Sequence, residues 1–170
     1  VACTPAGGKV LRTPRYRHTD NLQARRGRFV IDQDGHADGR MNTAFKGTQY
    51  DLRDPLMRQK ASDQVAAIKQ LYTIDNLEIG SLKLVQEKRS IPVVVETLQF
   101  TARDYASRTR DRMYIPVNTV NRIGGIPPAT RERSNPVYIA RGYTDLDEIE
   151  FEIPENYMVE YQPKETIVNT

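Results

Sequence analysis

The stretch Glu148-Ile149-Glu150-Phe151-Glu152-Ile153 alternates an acid with an apolar side chain through six residues. Successive side chains of a β-strand point to opposite faces. This is therefore a strand with Ile149, Phe151 and Ile153 in a core and three glutamates in water. Such a strand needs a sheet around it, and the neighbouring sequence supplies candidates. KLVQ (83–86), PVVVETLQF (92–100), MYIPV (113–117), PVYIA (136–140) and YMVEY (157–161) are short and rich in β-branched or aromatic residues. Lys88-Arg89-Ser90 suits a turn between the first two, and residues 118–135, with Gly124-Gly125 and Pro127-Pro128, form a longer connection. Upstream, ARRGRFVID (24–32) reads as a strand that turns near Asp34-Gly35. Met41, Thr43 and Phe45 then alternate with Asn42, Ala44 and Lys46 on the return.

One helix interrupts the strands. Asp54 is placed to cap its N-terminus, and Pro55 fits the first helical position, where no amide donor is needed. Met57, Ala61, Val65, Ile68 and Tyr72 recur at four- and three-residue steps as one apolar stripe, opposite Arg58, Lys60, Asp63, Lys69 and Gln70. About eight short strands and one helix predict a mainly β fold, an antiparallel β-sandwich of Ig-like general shape with an α-helix inserted near 55–72. Residues 1–22 show no period and carry Pro5, Gly7, Gly8 and Pro14, so they read as a linker, with the domain spanning 23–170.

Composition narrows the function classes. The 170 residues are 38% hydrophobic and 28% charged, enough for an ordinary core without cross-links. A single cysteine excludes an internal disulfide and a cysteine-rich zinc framework. No run of 18 apolar residues is present to span a bilayer. The sequence shows neither an initiator Met nor a secretory signal, so it reads as a fragment or mature piece of a longer protein.

The net charge of +3 hides an uneven layout. Lys9, Arg12, Arg15, Arg17, Arg25, Arg26 and Arg28 face only Asp20 within residues 9–28. Residues 145–165 hold eight acids against Lys164. With Tyr16 as its one aromatic, the basic block lacks the stacking platform of a nucleic-acid binder, so no nucleic acid is expected. It reads instead as a basic linker lying near an acidic sheet face of the same molecule.

Candidate chemistry is sparse, and neither catalytic nor cofactor-binding residues are expected. Cys3 with His18 or His36 is the one formal nucleophile–base pair, but a cysteine in a Pro/Gly segment has nothing to hold it. Asp32, Asp34 and Asp38 in DQDGHADG (32–39) are weak calcium candidates. In either phase the EF-hand register ends on Thr43 or Phe45 instead of the bidentate Glu, and a hairpin turn uses Asp and Gly for dihedral reasons alone. Tyr138, Tyr143, Tyr157 and Tyr161 suggest a glycan-binding face, though tyrosine is also a favoured strand residue.

With the strands placed, residues 133–163, RSNPVYIARGYTDLDEIEFEIPENYMVEYQP, become recognisable. They resemble the C-terminal domain of unknown function that follows a transglutaminase-like core in exported proteins of Gram-negative bacteria. The shared positions are Arg133, Pro136, Val137, Asp147, Ile153, Pro154, Tyr157, Val159, Glu160 and Pro163. Asn156 replaces the usual glycine, a mild change because Asn tolerates a left-handed turn, whereas Gln162 replaces an apolar residue. TPAGGKVLRTPRY (4–16) looks like the hand-over from the core, and FVIDQDGHADG (29–39) like the domain's first hairpin.

The resemblance implies a parent with a papain-like Cys-His-Asp core, a transglutaminase or cysteine peptidase of the periplasm or cell envelope. No position here matches that triad. The implied role is a non-catalytic accessory domain without a cofactor, whose partner is the upstream core of the same polypeptide. The alternative is an independent envelope module that binds a glycan or protein. A calcium-stabilised adhesin-like domain is a third reading.

Overall fold

The computed structural model describes residues 2–12, 15–121, 132, 134 and 141–168. The strand expected at 136–140, together with Arg133, Pro136, Val137 and Tyr138, lies outside the described residues.

The mainly β expectation holds, and its centre is a five-stranded mixed sheet. In chain order the elements are β1 (Ala2–Thr4), β2 (Gly7–Lys9), β3 (Leu22–Ile31), β4 (Ala37–Lys46) and α1 (Thr48–Asp51). A 3₁₀ turn (Asp54–Arg58), α2 (Ala61–Leu71), β5 (Leu77–Glu87) and β6 (Val93–Ala102) follow. The last are β7 (Ser107–Arg108), β8 (Met113–Tyr114) and β9 (Thr144–Glu152). The sheet order is β5-β6-β4-β3-β9, while β1-β2 and β7-β8 form separate two-stranded ribbons.

Within the large sheet β3, β4, β6 and β5 pair antiparallel, but β9 runs parallel to β3. The sheet is thus mixed where an antiparallel arrangement was expected. The parallel register has a physical logic. It sets Arg25 against Asp147, Arg26 against Glu148 and Phe29 against Phe151, matching charge with charge and ring with ring.

One face of the sheet is buried. Phe29, Ile31, Ala37, Met41, Leu98, Phe100 and Ala102 meet Leu56, Ile68, Tyr72 and Ile74 from the helical insert, and Tyr105 and Ala106 from the segment after β6. Among the described residues, that inner face is covered by the insert and the 103–121 segment instead of a second large sheet. Phe29 lies edge-on to Phe100, Tyr105 and Phe151 at centroid separations of 5.1, 5.7 and 5.4 Å. The rings pack this tightly because β4 has no side chain opposite them. A Cβ on Gly39 would sit 2.1 Å from the Phe100 ring.

The expected helix over 55–72 is present as two pieces. Gln59 and Lys60 are extended, which separates the 3₁₀ turn from α2. On a continuous α-helix Leu56 and Ile68 would project about 120° apart. The break lets both enter one core, where each is buried. Asp54 is not an N-cap either, because neither helical piece has a side-chain cap. Its carboxylate instead accepts from the Tyr50 hydroxyl at 2.7 Å and pairs with Arg58.

Two expected strands shrink or vanish. MYIPV contributes only Met113–Tyr114, since Pro116 has no N–H to continue a ladder. YMVEY (157–161) forms no strand and Met158 is 91% exposed. Strand propensity alone does not hold an extended segment, and among the described residues none pairs with this one. A turn precedes it, with the Tyr157 N–H donating to the Pro154 carbonyl at 2.9 Å. Asn156 sits in that turn without a left-handed φ, so its tolerance of that conformation is not called upon.

A buried charge network as the candidate functional site

The inner face of the sheet changes character along the strands. Toward the end of β3 it carries Phe29 and Ile31; toward the start it carries Gln23 and Arg25, with Thr43 on β4 and Glu96 on β6. These polar residues share the parity of their apolar neighbours, so strand geometry itself drives them inward.

Arg25 is the hub. Its side chain is 2% exposed and donates to Asp147 at 2.7 Å, Thr43 at 3.2 Å, the Val120 carbonyl at 3.3 Å and the Tyr72 hydroxyl at 3.5 Å. The Tyr72 hydroxyl in turn donates to Glu96 at 2.5 Å, and the other Glu96 oxygen accepts from Arg53 at 3.0 Å. Arg53 lies over the Phe45 ring, 4.3 Å from its centroid, and Arg25 lies 5.4 Å from that of Tyr72. Asn121 bridges Asp145 and Asp147 at 3.0 Å each, and Gln49 donates to Asp145 at 2.9 Å. Two cation–carboxylate pairs joined by a tyrosine, with the partners of Arg25, thus tie six segments together: β3, β4, β6, the helical insert, the 117–121 segment and β9.

Buried charges are tolerated only when paired and hydrogen-bonded, and these are. The neutral Gln23 is less well served: its amide nitrogen is buried with no hydrogen-bond partner among the described residues.

Burial pushes the Tyr72 phenol up to about 12, reinforced by the neighbouring Glu96 charge and opposed by that of Arg25. The unfolded phenol titrates near 10. A raised folded value stabilises the protein fully below about pH 10, and that contribution is lost as pH rises through about 12. The span corresponds to about 2–3 kcal/mol. Urea titrations between pH 9 and 12 should therefore show stability falling more steeply for the native chain than for Tyr72→Phe. Parallel slopes would refute the assignment.

The exposed charges behave differently. On the outer face Arg26 pairs with Glu148 at 3.0 Å and Arg28 with Glu152. Such solvated pairs contribute little to stability. They do show where part of the basic block goes. Arg25, Arg26 and Arg28 form part of β3 itself and meet the acidic strand directly, while Lys9, Arg12, Arg15 and Arg17 stay on the exposed N-terminal segment.

The remaining candidates do not converge. Cys3 is exposed on β1. His18 precedes β3 and meets Thr144 at 3.0 Å, whereas His36 follows β3 and accepts the Asp104 N–H at 3.1 Å. A ten-residue strand holds them roughly 30 Å apart. Asp32 accepts the N–H groups of Asp34 and His36 at 2.8 and 2.9 Å, which is turn chemistry, and Gly35 supplies the positive φ of 82° that the turn requires. Asp34 reaches Arg108 at 3.3 Å, and Asp38 is exposed on β4. Among the described residues no group of three or more His, Cys, Asp or Glu is placed to hold a metal ion. Tyr143 and Tyr157 flank opposite ends of β9.

Of the motif residues, Asp147 belongs to the buried network, Pro154 closes the turn onto Tyr157, Glu160 pairs with Arg112 at 3.1 Å, and Pro163 is exposed. Arg25, Arg53, Tyr72 and Glu96 were not among the sequence candidates. The signal that finds two of them is parity. Glu96 stands in step with Val94, Leu98 and Phe100, and Arg25 in step with Phe29 and Ile31.

Among the described residues no helix is long and apolar enough to cross a membrane. No curated protein and no solved structure matches the chain. Residues 111–170 match the model of a domain of unknown function for which a structure has been solved, DUF3858.

Proposed function

We propose that the chain is a non-catalytic C-terminal accessory domain of a transglutaminase-like or cysteine-peptidase protein of the bacterial cell envelope. It packs on the catalytic core of the same polypeptide or holds a partner beside it. The observation that carries this reading is that the buried charges are committed to one another. Acid–base or nucleophilic chemistry needs a group free to exchange a proton or offer a lone pair to substrate. Arg25 and Asp147 hold each other, as do Arg53 and Glu96, and burial keeps Tyr72 protonated. Support also comes from the sequence resemblance at 133–163 and from the match of 111–170 to a domain without assigned activity. Val159, Tyr161, Ile167 and Val168 are exposed on an irregular stretch and offer apolar area for docking.

The test has two arms. The 170-residue chain is assayed for acyl transfer from a glutamine peptide to an amine and for peptide hydrolysis, and it is sedimented with a transglutaminase-like core encoded in the same reading frame. No turnover and a one-to-one complex are expected. Turnover that Cys3→Ala abolishes would sink the reading.

A further inference from the structure

The two edges of the large sheet are built differently. On β5 the pairing with β6 is broken by a bulge between Ile79 and Ser81, at Gly80. Bulges of this kind blunt an edge against further pairing. β9 has no such device. Its register against β3 runs without a shift from Thr144 to Glu152, and among the described residues no strand pairs with its other side. The side chain of Asp147 is only 22% exposed, yet the residue as a whole is exposed, so its exposure lies in the backbone along that edge.

Depressions flank β9 on both faces. On the inner face a groove of about 510 Å³ is lined by Val117, Val120, Ile149 and Phe151, with Asn121 and Asp147 at its polar end. On the outer face a second one, also about 510 Å³, lies over β3 among Ala24, Arg26, Asn42, Leu146 and Glu148, on the side of β9 that β3 already occupies. An extended strand laid along β9 would send every second side chain toward the inner groove and the others over the outer face beside Glu148, Glu150 and Glu152.

The charges specify which strand. Glu148, Glu150 and Glu152 line the outer face of β9. A second copy of β9 would set glutamate against glutamate, which disfavours self-pairing. β3 supplies the internal precedent for what β9 accepts: Arg26 and Arg28 on the outer face against those glutamates, and Gly27 and Phe29 on the inner face against Ile149 and Phe151.

We propose that the outer edge of β9, which no strand among the described residues covers, is a docking site for an extended peptide segment of a partner protein in which basic and apolar residues alternate. The basic residues lie over Glu148, Glu150 and Glu152, and the apolar ones fill the groove beside Ile149 and Phe151. This deepens the accessory-domain reading and rests on it for the premise that the domain docks.

The probes are two capped octapeptides of equal composition, one alternating Arg with Val and one with four Arg followed by four Val. Binding to the 170-residue chain is followed by fluorescence anisotropy at low and moderate salt. The alternating peptide should bind roughly tenfold more tightly than the blocked one, and its affinity should fall as salt screens the glutamates. Glu150→Lys, on an exposed position, should weaken it roughly three- to tenfold while the melting temperature stays within a few degrees. Lys83→Glu, on the opposite edge strand, should leave that affinity unchanged. Equal binding of the two peptides, or an affinity indifferent to Glu150→Lys, would overturn the proposal. If the sedimentation complex persisted in that case, the accessory-domain reading would stand and only the edge would be excluded.

Discussion

Glu96→Ala should destabilise the fold by about 3–5 kcal/mol, the cost of removing one partner from a buried ion pair. Glu96 is 1% exposed and accepts from both Arg53 and Tyr72. Its loss leaves the Arg53 guanidinium in the core without a counter-charge and the Tyr72 hydroxyl without an acceptor. The stacking of Arg53 on Phe45 offsets only a small part of this. The measurement is the urea midpoint at constant m-value. A double variant, Arg53→Met with Glu96→Leu, removes both charges and fills similar volume, so it should recover most of the loss. A single variant costing under about 1 kcal/mol would mean the pair is not buried as described.

Phe29→Ala should have a comparable effect, about 3–5 kcal/mol, for an unrelated reason. Phe29 is fully buried and its ring touches aromatic rings contributed by β6, β9 and the segment after β6. Truncation opens a cavity that three large rings border and that Gly39 leaves without a neighbouring side chain to collapse into it. Each edge-to-face contact adds about 0.5–1.5 kcal/mol beyond the area buried. For a chain of this size the melting temperature should fall by roughly 6–20 °C. Phe29→Leu keeps much of the volume and should cost clearly less. Equal losses for the two variants would show that cavity volume is not the cause.

The two substitutions sample the two halves of one sheet face, and the halves differ in how far the sequence announced them. The apolar half was legible. The alternation in EIEFEI gave β9 its faces, and Met41, Thr43 and Phe45 gave β4 its own. The helix stripe was legible as a helix but not as a broken one, because nothing local between Met57 and Ala61 signals the extended pair Gln59–Lys60. That break answers a demand of the core, which takes both Leu56 and Ile68. The direction of β9 was equally hidden. EIEFEI alternates the same way in a parallel or an antiparallel ladder, and only the cross-strand partners decide between them.

The polar half was hidden by composition. In ARRGRFVID three arginines look like one solvated cluster, yet alternation sends Arg25 inward and Arg26 and Arg28 outward. Asp147 was picked out through resemblance, and its physical role, neutralising Arg25 from 122 positions away, is a fact of topology. Arg53 sits just ahead of the 3₁₀ turn, where no period applies, so no local pattern foretells its burial.

That long separation between Arg25 and Asp147 also has a kinetic side. β3, β4, β5 and β6 are contributed by residues 22–102 and pair antiparallel, so they can assemble while the chain is still being made. β9 closes a parallel contact over a much larger loop, which slows its formation and places it last. Until residue 147 has been synthesised, Arg25 faces the forming core without its carboxylate, and β3 is itself a bare edge. A chain truncated before β9 would therefore expose β3 as an edge and leave Arg25 without its carboxylate, and the acidic strand is the latch that covers both.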